Sequence, residues 1–172
     1  MSYNPPPPPP PPPPGGGYSP PGGDYSASGA GGVPANLAEP LKRIVAALID
    51  GAIPFGIIIV ALILGAILGN VSGALGVLFI VGGYLGAIGF SIYNMVVTQG
   101  NTGQTIGKKM QGIKVVGEST GAPLGVGGAF IRYLIHSFID GICFAGYIYG
   151  FFINPKRQTV GDIVAKSYVV NA

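Results

Sequence analysis

The chain has 172 residues, 48% of them hydrophobic and only 9% charged; soluble domains run near a quarter charged, so this balance points to a membrane protein. The net charge of +3 does not indicate nucleic acid, because the basic residues flank apolar runs instead of forming one patch, and such flanks report membrane topology. A single cysteine, Cys143, excludes an intramolecular disulfide, and one cysteine with one histidine makes no metal set.

Residues 1–36 read as a disordered Pro/Gly-rich tail. Pro5 to Pro14 is an unbroken proline run, expected to form a stiff polyproline II rod of about 31 Å at ~3.1 Å per residue. The glycines after it make a flexible joint. The tail serves either as a solvated spacer or as a ligand for a proline-binding partner. No flanking charge selects the second, so the spacer is favoured. There is no basic region followed by a short apolar stretch at the start, so no cleavable signal peptide is expected.

The first apolar helix is expected over about 41–68, LKRIVAALIDGAIPFGIIIVALILGAIL. It is long enough to span a bilayer. Arg43 and Asp50 lie seven positions apart, so they share nearly one face, roughly 10 Å apart along the axis. A carboxylate inside a span needs a partner or a wet cavity and is a candidate functional residue. Pro54, four residues on, frees the Asp50 carbonyl from its usual partner. That kink suits a binding site and ordinary helix packing equally.

After a short linker, a second span is expected over about 73–97, with Tyr93 and Asn94 near its far end. Gly65/Gly69, Gly82/Gly86 and Gly146/Gly150 offer small residues four apart, which let helix backbones approach. Residues 98–128 are polar and basic, with Lys108, Lys109 and Lys114. Positive flanks place this loop and Lys42/Arg43 both in the cytoplasm, which requires two crossings between them. Ile113 to Val116 reads as a short strand, and Glu118 to Gly121 as a turn leading to a second one. Gly103 to Lys109 fails as a phosphate loop: three residues, not four, separate the glycines, and Lys109 stands where Ser or Thr is needed.

A third apolar segment covers about 129–153 and carries Arg132, His136 and Asp140 at four-residue spacing, one drifting stripe on a helix. His136 between Arg132 and Asp140 suggests a proton relay; the bland alternative is a polar network that fixes the helix, and this is favoured for His136. Gly141 divides the segment into halves of about 18 Å, too short to span alone. A broken, re-entrant or helical-hairpin segment is therefore expected, with both termini cytoplasmic. Ser167 to Val170 reads as a strand whose natural partner is Ile113 to Val116.

Arg43, Asp50, TIGKKMQGIKVV, FIRYLIHSFID and PKRQTVGD, in that order, resemble the RDD family of bacterial integral membrane proteins. The proline-rich tail with VVGESTGAPLG is similar to its actinobacterial proline-rich-antigen branch. The resemblance covers residues 37–172, read as one transmembrane domain. It implies that Arg43 and Asp50 are the family's Arg and first Asp, and that Asp162 or Asp140 is its second. It also implies transport of an unknown ligand, cation/proton exchange included.

The fold expected is thus a membrane all-α hairpin with a third broken segment and a small cytoplasmic β element. Two functions compete. The first is a transporter or exchanger that uses Asp50, with Arg43 or Arg132 setting its charge. It must assemble as a homo-oligomer or with other membrane proteins, since one chain has too few helices to enclose a path. The second is a non-transporting scaffold in a multi-pass cell-membrane setting, with the tail as tether. A membrane enzyme is least supported, since Ser137 points roughly 100° away from His136 on a helix. No cofactor is expected.

Overall fold

The computed structural model describes residues 33–140 and 145–172. The proline run, Gly141 and Cys143 lie outside the described residues, as does the side chain of Asp140. Helix α1 spans Pro40–Gly69. Pro40 sits in its first turn, where a missing N–H breaks no helical bond, and the helix continues through Pro54. Helix α2 runs over Gly73–Thr102, with a π-helical stretch at Tyr93–Thr98. It passes the expected end at Val97 and stops only at Gly103, whose φ of 76° supplies the left-handed turn that ends helices. Both helices are long and apolar enough to cross a membrane.

The two helices pack against each other through their small residues. Gly76 lies against Gly65 and Gly69, and Gly83 against Ala61, where added Cβ atoms would clash. The expected pair Gly82/Gly86 does not serve this contact; both face open space. The helix rotation places Gly83 at the seam and its neighbour outside. Large apolar side chains such as Leu48, Phe55, Ile63, Leu78 and Leu85 stay exposed. A patch of that extent on an isolated chain calls for an apolar surround.

At the end of the hairpin where α1 begins, the remaining elements form a cap. Helix α3 covers Ile106–Met110 and strand β1 covers Ile113–Gly117. Helix α4 covers Gly125–Ile135 and continues as a π-helical stretch over His136–Asp140. Helix α5 covers Ala145–Ile148 and continues in the same way over Tyr149–Ile153. Helix α6 (Val160–Val164) and strand β2 (Ser167–Asn171) complete the chain. The third apolar segment therefore turns back on itself: His136 of α4 stacks on Tyr147 of α5, ring centroids 5.6 Å apart.

Strands β1 and β2 pair antiparallel, Ile113 opposite Asn171 and Gly117 opposite Ser167. The turn after β1 closes through Gly117 N–H to the Ala122 carbonyl at 2.9 Å. It leads into α4 and not into the second strand expected there, because β1 is already paired by the C-terminal strand. Leu37 bridges the other edge of β2 at Val170, and Ala38 N–H donates to the Val169 carbonyl at 2.9 Å. Ile113, Val115 and Val169 bury themselves with Ala38 and Ala46. The start of α1 and the end of the chain thus share one small core.

Candidate functional site

Asp50 and Asp162 each organise a buried polar cluster where the cap meets the hairpin. Asp50 is 2% exposed and accepts from three directions. Asn94 Nδ2 reaches Oδ1 at 2.9 Å, Gly107 N–H reaches Oδ1 at 2.8 Å, and the Thr105 hydroxyl donates to Oδ2. Asn94 also accepts from Ile106 N–H at 3.1 Å. Thr105 caps α3 by accepting from Lys108 N–H at 3.2 Å. One carboxylate thus joins α1, α2 and the first turn of α3. Only glycine fits at 107, since a Cβ there would strike the Ala46 carbonyl and come within 3.0 Å of the Asp50 carboxyl carbon.

Asp162 is fully buried and closes a second cluster. Arg43 pairs with its Oδ2, and Arg132 Nε donates to Oδ1 at 2.8 Å. His136 Nε2 lies 4.0 Å from the same oxygen. Thr159 and Asp162 form a capping box that starts α6, as the spacing of two such residues three apart favours. Arg43 also donates to the Arg157 carbonyl, and its guanidinium carbon sits 5.0 Å over the Phe151 ring, a cation–π contact. Gly150 lets α5 approach the Gln158–Thr159 backbone closely. Burial alone would raise the Asp162 carboxyl; the Arg132 and Arg43 guanidiniums overcome it and hold the group well below the usual carboxylate range.

The sequence-level candidates therefore divide. Arg43, Arg132, His136 and Asp162 meet, while Asp50 forms its own cluster about two turns further along α1. Arg43 and Asp50 share the expected face but not a bond. Asp162 is the carboxylate that Arg43 holds; Asp140 cannot be compared, its side chain lying outside the described residues.

Between the two clusters lies a cavity of about 80 Å3. Arg43, Asp50, Lys108, Arg132 and His136 line it together with Gln99. Lys108 and Gln99 were not singled out from the sequence. Lys108 reads as one of several loop lysines, and Gln99 as loop until α2 is seen to continue. Gln99 is 3% exposed, and its Oε1 has no partner among the described residues. Burial, then Arg132, push the Lys108 ammonium down from 10.5 to about 7, with Asp50 opposing. A second hollow of about 740 Å3 lies on the outer faces of α1 and α2, lined by residues such as Val60, Leu78 and Gly82. It has no charged wall, so the polar cavity is the candidate site. No group of three or more His, Cys, Asp or Glu side chains suited to a metal occurs among the described residues.

The chain is 38% identical over 87 residues to the Proline-rich antigen homolog of Mycobacterium tuberculosis, covering 50% of this chain and 35% of that protein. It is 39% identical over 80 residues to the Proline-rich antigen of Mycobacterium leprae, covering 46% of this chain and 31% of that one. The chain thus spans about a third of the length of these curated relatives. No solved structure matches it. The RDD family model matches residues 37–166, the stretch that holds both carboxylate clusters, and the chain belongs to the RDD family.

Proposed function

We propose that this chain is a multi-pass membrane protein that carries a small solute, with the polar cavity under Arg43, Lys108 and Arg132 as the place where the solute is held. One observation carries the proposal: side chains from five separate helices line one hollow, and the Gln99 amide oxygen at its wall has no hydrogen-bond partner among the described residues. An unsatisfied buried polar group costs about 1–3 kcal/mol, so such a site is retained for something that fills it. Both termini sit at the cytoplasmic end in this reading, which agrees with the positive flank at Lys42 and Arg43. Two spans do not enclose a path, so a homo-oligomer or assembly with other membrane proteins completes it. The tail up to residue 36 serves as a spacer or as a ligand for a proline-binding partner.

Cation/proton exchange at Asp50 is the narrower form of this reading. Three donors already fill the Asp50 oxygens, so a cation there must displace Asn94, Thr105 and Gly107 N–H. A solute seated against Lys108 displaces nothing. The second reading is a non-transporting scaffold, favoured by the complete pairing of Asp162. Solute uptake into liposomes containing purified protein separates these readings. Loss of uptake in Lys108→Gln but not in Asp50→Asn supports the cavity, and the reverse supports exchange at Asp50. No uptake of any cation or anion by folded, inserted protein supports the scaffold.

A further inference from the structure

The chemical character of the cavity wall narrows the solute class. Arg132 bonds Asp162 through Nε alone, and its Nη groups have no further bond among the described residues. Lys108 Nζ likewise has no hydrogen bond or ion pair among them. Three cationic side chains, Arg43, Lys108 and Arg132, thus share the wall of the hollow. The Gln99 Oε1 at its wall has no hydrogen-bond partner among the described residues and suits a water or hydroxyl accompanying a solute.

Charge balance leads to the same conclusion. Arg43 and Arg132 offset Asp50 and Asp162, so the described charges cancel when Lys108 is neutral. A proton on Lys108 then leaves the cluster with one excess positive charge in a buried setting, where an unpaired charge is costly. The volume of about 80 Å3 exceeds several-fold the roughly 10–15 Å3 that one water needs. It is large enough for a halide or a short carboxylate with a water.

We propose that the cavity binds one small monovalent anion between the Lys108 ammonium and the outer edge of the Arg132 guanidinium, and that Lys108 takes up one proton as the anion enters. The proposal rests on the reading of this hollow as a solute site. The charged and titratable groups facing Lys108 are Arg43 and Asp50 of α1, Arg132, Tyr133 and His136 of α4, Tyr147 of α5 and Asp162 of α6. Its neighbour on α3 is Lys109. Because Arg43 and Arg132 stay charged across the accessible range and Asp162 is held ionised by both, Lys108 is the group on α3 whose charge an anion controls. An anion beside it stabilises the charged form, so by linkage binding is tighter at low pH and weakens as pH rises above 7.

The test is calorimetric titration of chloride, bromide and formate into the full-length protein in detergent micelles, in buffers of different protonation enthalpy. The expected result is uptake of close to one proton per anion at pH 8 and a dissociation constant that weakens from pH 7 upwards, approaching about tenfold per pH unit between pH 8 and pH 9. Lys108→Gln should abolish binding. Lys108→Arg, which keeps the charge fixed, should bind the anion with no pH dependence and no proton uptake, and so guards against a simple failure to fold. Binding by Lys108→Gln equal to the wild type, pH-independent binding by the wild type, or no binding of any of the three anions would overturn the proposal. Binding without uptake into liposomes would sink the transport reading and leave the anion site standing; uptake of another solute without anion binding would do the opposite.

Discussion

Asn94 Nδ2 donates to Asp50 Oδ1 at 2.9 Å, tying the two long helices together at the level where α2 widens into its π-helical stretch. π-helical turns often mark functional positions. Here the turn brings a buried amide into line with a buried carboxylate, and the amide oxygen accepts from the start of α3. The Asp50 cluster is thus a joint between hairpin and cap. Replacing Asp50 with Leu leaves the Asn94 amide, the Thr105 hydroxyl and Gly107 N–H unpaired and should cost more than about 2 kcal/mol. Asp50→Asn keeps a carbonyl for two of these donors and an amide facing the Thr105 oxygen, so its cost should stay near 1 kcal/mol. Denaturant unfolding in detergent compares the two; equal losses would argue against the bonding pattern.

Asp162 holds two buried guanidiniums. Asp162→Asn should destabilise by about 3–5 kcal/mol, the usual cost of leaving buried charge uncompensated. The acid response has a definite sign. The folded-state carboxyl lies below its ordinary 3.8, so its contribution is fully present above that value and is lost as pH falls towards the folded value. Wild-type stability should therefore show an acid loss below about pH 4 that Asp162→Asn lacks.

Lys108 gives a second window of the same sign at higher pH. Its folded-state value lies near 7 against 10.5, so between those values the unfolded chain binds more protons and stability rises with pH. Thermal unfolding in detergent from pH 7 to 10 should show this rise in the wild type and not in Lys108→Met. Parallel curves would show that the ammonium is not buried.

The close-approach glycines give a matched pair. Gly83→Ala drives a methyl into Ala61, whereas Gly82→Ala meets nothing. The first should lose about 1–3 kcal/mol, as overpacking does, and the second should be neutral or slightly stabilising. Gly107→Ala should match Gly83→Ala, because the Ala46 backbone cannot move aside as a flexible side chain would. The same unfolding measurements decide both comparisons.

Leu37 and β2 share one core, which places the entry to α1 and the C-terminal strand on the same side of the hairpin, and in the proposed topology that side is cytoplasmic. Fluorescent-protein fusions to either end should both light up in the cytoplasm, and alkaline phosphatase fusions to either end should both be silent. A C-terminal phosphatase that is active alone would require an odd number of crossings.

Much of this architecture was legible because local chemistry dictated it. Length and apolar content marked α1 and α2, and the basic character shared by the loop and the tail foretold the pairing of Ile113 to Val116 with Ser167 to Val170, which the structure extends by one residue on each strand. Arg43 and Arg132 stood out because charges next to apolar runs need partners, and Asp162 through the resemblance to the RDD family. Other features depended on three-dimensional rotation or long-range closure. Gly83 differs from Gly82 only in the face it presents, and Gln99 reads as loop until α2 is seen to extend to Thr102. Thr105 and Lys108 lie in a polar stretch with no periodic signal. Their roles appear only when α3 docks its first turn onto Asp50, a contact 55 residues distant for Thr105.

The most direct measurement is a double-mutant cycle between Arg43→Gln and Asp162→Asn, read by reversible unfolding of the full chain in detergent. If the Arg43 guanidinium and the Asp162 carboxylate form one buried unit, each single substitution should cost several kcal/mol. The double substitution should cost less than their sum by about 2–3 kcal/mol. Costs that add to within about 0.5 kcal/mol would mean that the two residues do not meet, and the polar cavity built around them would lose its foundation.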